Sequence, residues 1–231
     1  MGRRPGPSSP FLLFIKEEKI MVLRELDARG FFSVPLTRYL CRRGSGEMEV
    51  RMKVGLVRHF EVECKLPGIS NLVTPGQFQE WLHEYEMSDI IEGNIEPSAI
   101  IWEKCYSSDL PRALKTAQKI YSGQVVETKA LRELVICPPT DRNIKLPVPL
   151  WLILGRMAWM LSHKSQIESK LLFEKRVKYI LEELILKEDR NVLLVSHGFI
   201  MMFLRKELIK RGFIGPGFGR AKNGKIYVYE K

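Results

Sequence analysis

The chain has 231 residues, of which 45% are hydrophobic and 28% charged, an ordinary composition for a globular protein. This length supports one domain with a sizeable core, and the composition argues against an intrinsically disordered chain. The net charge of +10 is compatible with an anionic partner, but the charge is spread along the chain, which favours a solvated basic surface. Because no long Lys/Arg tract alternates with aromatic residues, nucleic acid is disfavoured as that partner.

Cysteine usage and hydropathy narrow the class of protein further. The sequence has four cysteines and none forms a C-x-x-C pair, so we expect reduced thiols in a cytoplasmic protein rather than a disulfide framework. The apolar runs are too short to cross a bilayer, which predicts no membrane association. No metal-ligand spacing is present, so we expect neither metal nor cofactor. The oligomeric state is left open.

The first 51 residues differ in character from the rest. Residues 1–10 are rich in Gly, Pro and Ser, and residues 11–51 show no sustained hydrophobic period. We therefore predict an N-terminal extension over 1–51 and one domain over 52–231. A ribosome-binding sequence can be encoded just before Met52, so one hypothesis is that this methionine is the natural start. The alternative is a genuine basic arm, and the intact mass of the native protein distinguishes the two.

From Met52 onward, predicted strands and helices alternate. Residues 52–57 are a short apolar run that predicts a buried strand, and Thr74 followed by Pro75 predicts the start of a helix over 75–85. The other predicted elements are strands at 99–102, 105–107, 125–126, 191–196 and 225–229, and helices at 109–121 (capped by Ser108), within 150–187 and at 198–211, with a hairpin turn at Asn223-Gly224.

This alternation predicts an α/β fold: three layers, with a mostly parallel sheet covered by helices on both faces. In such sheets, ligands bind at the carboxyl ends of the strands. Three polar clusters follow predicted strands, namely Arg58-His59, the segment 107–112 that ends in Arg112, and Ser196-His197-Gly198. Arginine forks match phosphate oxygens, and helix N-termini add N–H donors. The pattern therefore predicts a site for a phosphoryl group.

A histidine in such a site is a candidate nucleophile, since a neutral imidazole attacks phosphorus and divides one displacement into two. The leaving oxygen then needs an acid, and Glu133 follows a short predicted strand. A salt bridge between Glu133 and Arg132 is the alternative for this side chain. For Ser107 and Ser108 we expect only structural roles.

Five ordered segments resemble the histidine phosphatase superfamily, the phosphoglycerate-mutase-like proteins. Residues 106–117, YSSDLPRALKTA, are similar to the family's S-S-D-L-x-R-A-x-x-T-A segment. The others are LVRH at 56–59, VTPG at 73–76, LRE at 131–133 and VSHG at 195–198. The resemblance covers Met52 to about Phe203, and it implies a phosphoglycerate mutase-like fold.

The resemblance also implies roles for five residues. His59 is the residue phosphorylated, Arg58, Arg112 and His197 bind the phosphoryl group, and Glu133 is the proton donor. It further implies a variable helical lid over 138–187. The chain departs from the family at Phe60, where glycine is usual, at Lys65, where asparagine is common, and in the stretch after Glu133.

Three functions are compatible with this pattern. The first is a metal-independent phosphomonoester hydrolase that acts on a small phosphorylated metabolite. The second is a mutase, which needs extra basic residues in its lid, and residues 138–163 offer only Arg142, Lys145 and Arg156. The third is a non-catalytic phosphoryl-binding module. The presence of all four residues that can be cationic donors disfavours it, and these are Arg58, His59, Arg112 and His197. The sequence therefore favours hydrolysis, while the physiological substrate stays open.

Overall fold

The computed structural model describes residues 16–17, 20–21, 52–91, 93 and 99–231. The chain divides into two units, Met1–Val50 and Arg51–Lys231. In the first unit, strands β1 (Lys16–Glu17) and β2 (Ile20–Met21) pair antiparallel. The hypotheses about the remainder of residues 1–51 lie outside the described residues.

The second unit is built on a five-stranded sheet. The strands described in this unit are β3 (Lys53–Arg58), β4 (Leu72–Val73), β5 (Lys104–Ser108), β6 (Val125–Thr128), β7 (Leu146–Pro147), β8 (Val192–Ser196) and β9 (Ile226–Glu230). The large sheet has the order β6-β5-β8-β3-β9, in which only β9 is antiparallel to its neighbour. Strands β4 and β7 form a separate antiparallel pair.

Helices cover both faces of this sheet. They are α1 (Pro75–Met87), α2 (Pro111–Ile120), α3 (Val148–Met160), α4 (Lys170–Tyr179), which continues as a π-helical segment (Ile180–Leu186), and α5 (Gly198–Lys210). One face of the sheet packs on α2 and the other on α4 and α5, because successive strand side chains alternate between faces. The predicted three-layer α/β fold is confirmed. No helix among the described residues is long and apolar enough to span a membrane.

The start of α1 also agrees with the prediction. The Thr74 side chain accepts a hydrogen bond from Gln77 N, and the Gln77 side chain accepts one from Thr74 N, which completes a capping box. This arrangement satisfies two backbone donors at the start of the helix. The predicted helix end was two residues short of the observed one.

The predicted strand at 99–102 is wrong. Strand β5 begins only at Lys104, opposite Val192, the first residue of β8. Among the described residues, no strand lies beside 99–102 to pair with it, and Ile101 is 66% exposed. The Trp102 ring packs over Gly55, where a Cβ atom would lie 2.7 Å from the indole. Trp102 therefore covers the sheet, and the run does not extend it.

Two further predictions need correction, the helix cap at Ser108 and the hairpin at Asn223-Gly224. Ser108 is not a helix cap, because it is still paired in β5, and α2 begins at Pro111 after Leu110. Proline is well suited to that first position, since its fixed φ matches the helix. At the C-terminus, Gly224 adopts a φ of +69° as the turn requires, yet β9 pairs with β3 and not with the segment before the turn. The prediction of a hairpin at this turn is therefore wrong.

Candidate active site

The carboxyl ends of β3, β5 and β8 bring two histidines into contact. His59 follows β3 directly and His197 follows β8, and their ring centroids lie 5.2 Å apart. Both rings are almost fully buried, as is Arg112 in the first turn of α2. Arg58, the last residue of β3, is half-buried beside them. The three clusters predicted from the sequence thus share one crevice.

The hydrogen bond of His59 determines which ring nitrogen is free. Its Nδ1 lies 2.6 Å from the carbonyl oxygen of Phe60, which can only accept, so Nδ1 carries the proton. Burial, with the positive charge of Arg112, lowers the pKa of His59 to about 3. The imidazole is therefore neutral near pH 7, with its lone pair on Nε2.

Phe60 is itself held by α2. Its backbone N–H donates to Thr116 Oγ1 at 2.9 Å, and that hydroxyl donates to the carbonyl oxygen of Arg112 at 2.7 Å. Phe60 has no positive φ, so the position does not require the glycine that is usual in the family. Thr116, which sequence analysis did not single out, thus fixes the peptide that orients His59.

The second histidine is oriented by Ser108. His197 Nε2 lies 2.9 Å from Ser108 Oγ, which also accepts from Leu110 N at 3.4 Å. The Ser108 hydroxyl proton has no other acceptor among the described residues, so we assign it to Nε2, which leaves the imidazole proton on Nδ1. Burial and the charge of Arg112 lower the pKa of His197 well below its usual value, so this ring is also neutral. Ser108 therefore contributes more than the structural role expected of it.

Both arginines are anchored to main-chain carbonyls rather than to carboxylates. Arg58 Nη1 donates to Ala221 O at 3.0 Å, and Arg112 Nη1 donates to Glu86 O at 2.8 Å. The Nε atoms of both side chains, together with His197 Nδ1, are buried without a hydrogen-bond partner among the described residues. Unpaired buried donors are costly. These three donors lie in the crevice that also holds His59, and together they form a site complementary to an anion.

Glu133 lies at the start of α5. Its Oε2 accepts from Phe199 N at 2.9 Å, and its Oε1 accepts from Ile200 N and Leu134 N, both at 3.1 Å. The carboxyl group thus caps the helix and also lines the pocket that Arg58 and Arg112 border. The alternative salt bridge with Arg132 is wrong, because Arg132 binds Asp109 with two contacts of 2.6 Å.

The segment before β9 supports the Arg58-His59 pair. Asn223 Nδ2 donates to His59 O at 2.8 Å, Gly224 N donates to Arg58 O at 2.9 Å, and Ala221 O receives Arg58 Nη1. No local pattern in the sequence indicated these contacts, since the residues are more than 160 positions apart. Their only local signal was the turn at Asn223-Gly224.

The remaining candidates lie at the edge of the site or away from it. Lys65 and Arg156 are exposed and line the pocket, whereas Arg142 and Lys145 do not. His163 is exposed and bonds Ser165. Among the described residues, no group of three His, Cys, Asp or Glu side chains is placed to hold a metal ion.

The sequence model of the histidine phosphatase superfamily (branch 1) matches residues 94–229 of this chain, more than half of it. The chain belongs to this superfamily. The matched segment contains Arg112, Glu133 and His197 but begins after Arg58 and His59. In the structure, His59 lies beside His197, which is within the matched segment.

Solved structures of histidine phosphatases share a low level of similarity with the chain. Alpha-ribazole phosphatase from Shigella flexneri is 20% identical, with 77% of this chain and 89% of that chain covered and a TM-score of 0.46. A mycobacterial glucosyl-3-phosphoglycerate phosphatase is 19% identical, with 69% and 80% covered and a TM-score of 0.39. Such similarity does not identify a substrate. No curated protein matches the sequence.

We expect the buried histidines of this superfamily member to make its stability depend on pH. The pKa of His59 is about 3 when folded and near 6.5 when unfolded, so below pH 6.5 the unfolded chain binds more protons. The contribution of His59 to the free energy of unfolding therefore falls between pH 6.5 and pH 3, by about 2 kcal/mol between pH 7 and pH 5, and the lowered pKa of His197 acts in the same direction. Urea denaturation at pH 7 and pH 5 measures the loss.

The matched variant is His59→Asn, whose amide N–H replaces the donor to Phe60 O without a titratable ring. Its loss of stability between pH 7 and pH 5 should be about 2 kcal/mol smaller than that of the wild type. An equal loss in both proteins contradicts a neutral, buried His59.

Proposed function

We propose that this protein is a phosphomonoester hydrolase that acts through a phosphohistidine on His59. The observation that carries the proposal is a neutral imidazole whose Nε2 has no proton, in the same crevice as three buried donors that lack partners among the described residues. A nucleophile needs its lone pair, and a dianionic phosphoryl group needs donors in a dry site. Both requirements are met in this crevice.

In the first step, the Nε2 lone pair of His59 attacks phosphorus and the bond from phosphorus to the ester oxygen breaks. Glu133 gives its proton to the departing oxygen, so a neutral alcohol leaves. The hydrogen bond from Nδ1–H to Phe60 O stabilises the positive charge that develops on the ring. Arg58, Arg112 and His197 hold the phosphoryl oxygens during transfer.

In the second step, the Glu133 carboxylate takes a proton from water, whose oxygen attacks the phosphorus. The phosphorus–Nε2 bond breaks, inorganic phosphate leaves and His59 returns to its neutral form. Glu133 already accepts three backbone hydrogen bonds, which hold it in place. Oε2 accepts only one of these bonds and keeps a further lone pair, so the contacts leave room for the transferred proton on that oxygen.

The proposed substrate is a small phosphorylated metabolite. The pocket beside the cradle of Arg58, Arg112 and His197 has a volume of about 560 Å³, within the range of small-molecule sites. This volume holds a phosphate ester with one or two rings. The pocket also admits water for the second step.

The test is release of phosphate from p-nitrophenyl phosphate in the presence of EDTA. We expect the wild type to hydrolyse the ester and to form a phosphoenzyme that is stable in base and labile in acid. Isomerisation of a phosphoglycerate without hydrolysis would instead identify a mutase. If neither activity is found and inorganic phosphate still binds, the protein is a binding module and the proposal is wrong.

Replacing Thr116 by valine is expected to lower kcat by about tenfold and to leave KM within about twofold. The variant keeps the side-chain shape but leaves Phe60 N–H buried and unpaired, so the peptide that orients His59 shifts. Steady-state kinetics of Thr116→Val and Thr116→Ser check this. The serine variant should recover most of kcat, and failure to do so at wild-type stability would contradict a positioning role.

A further inference from the structure

The pocket extends well beyond the phosphate cradle. A phosphoryl group occupies only the end at Arg58, Arg112 and Glu133, and the rest of the volume must hold the alcohol part of an ester. The chemistry of the residues that border this second part therefore determines which alcohol fits. They come mainly from α1, from residues 61–66 and from the segment after Glu133, while α3 adds Leu152 and Arg156.

Helix α1 contributes two aromatic rings. Trp81 and Tyr85 lie one helical turn apart, with centroids separated by 5.6 Å, and both are half-buried. Tyr85 also lies 5.2 Å from the Arg112 guanidinium, which stands over its ring. The aromatic surface therefore begins directly beside the cradle, where the first atoms of the alcohol would lie.

The segment after Glu133 contributes an apolar edge. Leu134, Val135 and Ile136 all line the pocket, and they follow the residue proposed to protonate the leaving oxygen. Leu134 and Ile136 are buried, whereas Val135 is 41% exposed. An alcohol that receives its proton from Glu133 thus leaves along an aliphatic surface.

Helix α3 contributes two residues to the pocket lining. Its tryptophans, Trp151 and Trp159, are buried in the core. Leu152 and Arg156 line the pocket instead, and the Arg156 guanidinium is directed to the Phe199 ring at 5.6 Å. The outer cations Lys65, Arg156 and Arg220 are all exposed, which weakens their hold on a second anionic group.

We infer that the alcohol part of the substrate carries an aromatic ring, which packs on Trp81 and Tyr85 and along residues 134–136. This inference rests on the proposed hydrolase function of the same site. Flat aromatic groups stack on such rings, and burial of one ring is worth about a 10- to 100-fold gain in affinity. A sugar phosphate or a phosphoglycerate lacks the ring and would present hydroxyl or carboxylate groups to the apolar edge.

The inference is tested first by binding, without any chemistry. Isothermal calorimetry of the wild type compares 3-phenylpropylphosphonate with propylphosphonate, which share the same anion and cannot be hydrolysed. We expect the phenyl compound to bind about 10- to 100-fold more tightly. Equal affinities, or tighter binding of 3-phosphoglycerate than of the phenyl compound, overturn the inference.

Variants then locate the contact. Trp81→Ala should reduce the preference for the phenyl compound by about fivefold and leave the affinity for propylphosphonate unchanged. Val135→Asn, at a partly exposed position, tests the aliphatic edge with little risk to folding. Met87→Ala is the matched control, because Met87 is on the same helix, 59% exposed and not part of the pocket lining. An unchanged preference in both pocket variants contradicts the inference.

Hydrolysis separates this inference from the proposed function. The kcat/KM values for 2-phenylethyl phosphate and ethyl phosphate are compared, since both release primary alcohols of similar basicity. Hydrolysis of both esters without a phenyl preference supports the function and overturns the aromatic site. A phenyl preference in binding without hydrolysis of either ester supports the aromatic site and overturns the function.

Discussion

Replacing His59 by alanine is expected to lower kcat for p-nitrophenyl phosphate by about 10⁴-fold or more. The variant lacks the only atom proposed to bond to phosphorus. The phosphate-binding donors remain, so the affinity for inorganic phosphate should change by much less than kcat. Single-turnover kinetics and calorimetry measure the two effects separately.

The control for this variant is His163→Ala. His163 is exposed and bonds only to Ser165 and neighbouring backbone, so its removal should leave kcat within about twofold. The phosphoenzyme should form in the control and be absent from His59→Ala. A phosphoenzyme that persists in His59→Ala would place the nucleophile elsewhere, with His197 the first alternative.

Replacing Arg112 by alanine is expected to lower kcat/KM by about 10²- to 10³-fold, the usual effect of losing one charged donor at a reacting group. Arg112 is 2% exposed and its Nε has no partner among the described residues, so its charge acts on the phosphoryl group with little screening by water. Arg112→Lys keeps the charge but loses the planar fork, and we expect it to recover only part of the activity. Arg142→Ala, at an exposed position outside the pocket, is the control.

The same variant should change the pH dependence of the reaction. Arg112 is the second cause, after burial, of the lowered pKa of His59. Without that charge the pKa of His59 rises, so protonation begins to remove the nucleophile at a higher pH. The acid limb of the kcat/KM profile should therefore move toward neutral pH in Arg112→Ala. An unmoved limb, or activity within a factor of three of the wild type, contradicts the proposed place of Arg112.

Much of the fold could be predicted because buried strands and capped helices have strong local signals. The apolar run at 52–57 ends at Arg58, as β3 does, and Thr74-Pro75 starts α1 where expected. The run at 99–102 carried the same signal and is not a strand, because a strand also needs a paired neighbour. That condition depends on where β8 begins, which residues 99–102 do not encode.

The candidate site could be predicted to a similar extent. Its charged groups lie at strand ends, and parallel strands place their carboxyl ends together, so residues far apart in sequence were expected to meet. Their supporting contacts could not be predicted. Thr116 and Asn223 act through single hydrogen bonds to backbone atoms of the His59 segment, and such bonds leave no periodic or compositional pattern.

The sequence by itself determined the layers of this protein, its superfamily and the residues that meet at the sheet edge. Only the tertiary structure decided which nitrogen of His59 is free, the place of Glu133 at both the start of α5 and the pocket, and the apolar border of the pocket. The reason is physical. Hydrophobic periodicity is a property of neighbouring residues, whereas a tautomer, a lowered pKa and a pocket wall depend on atoms that folding brings together from distant parts of the chain.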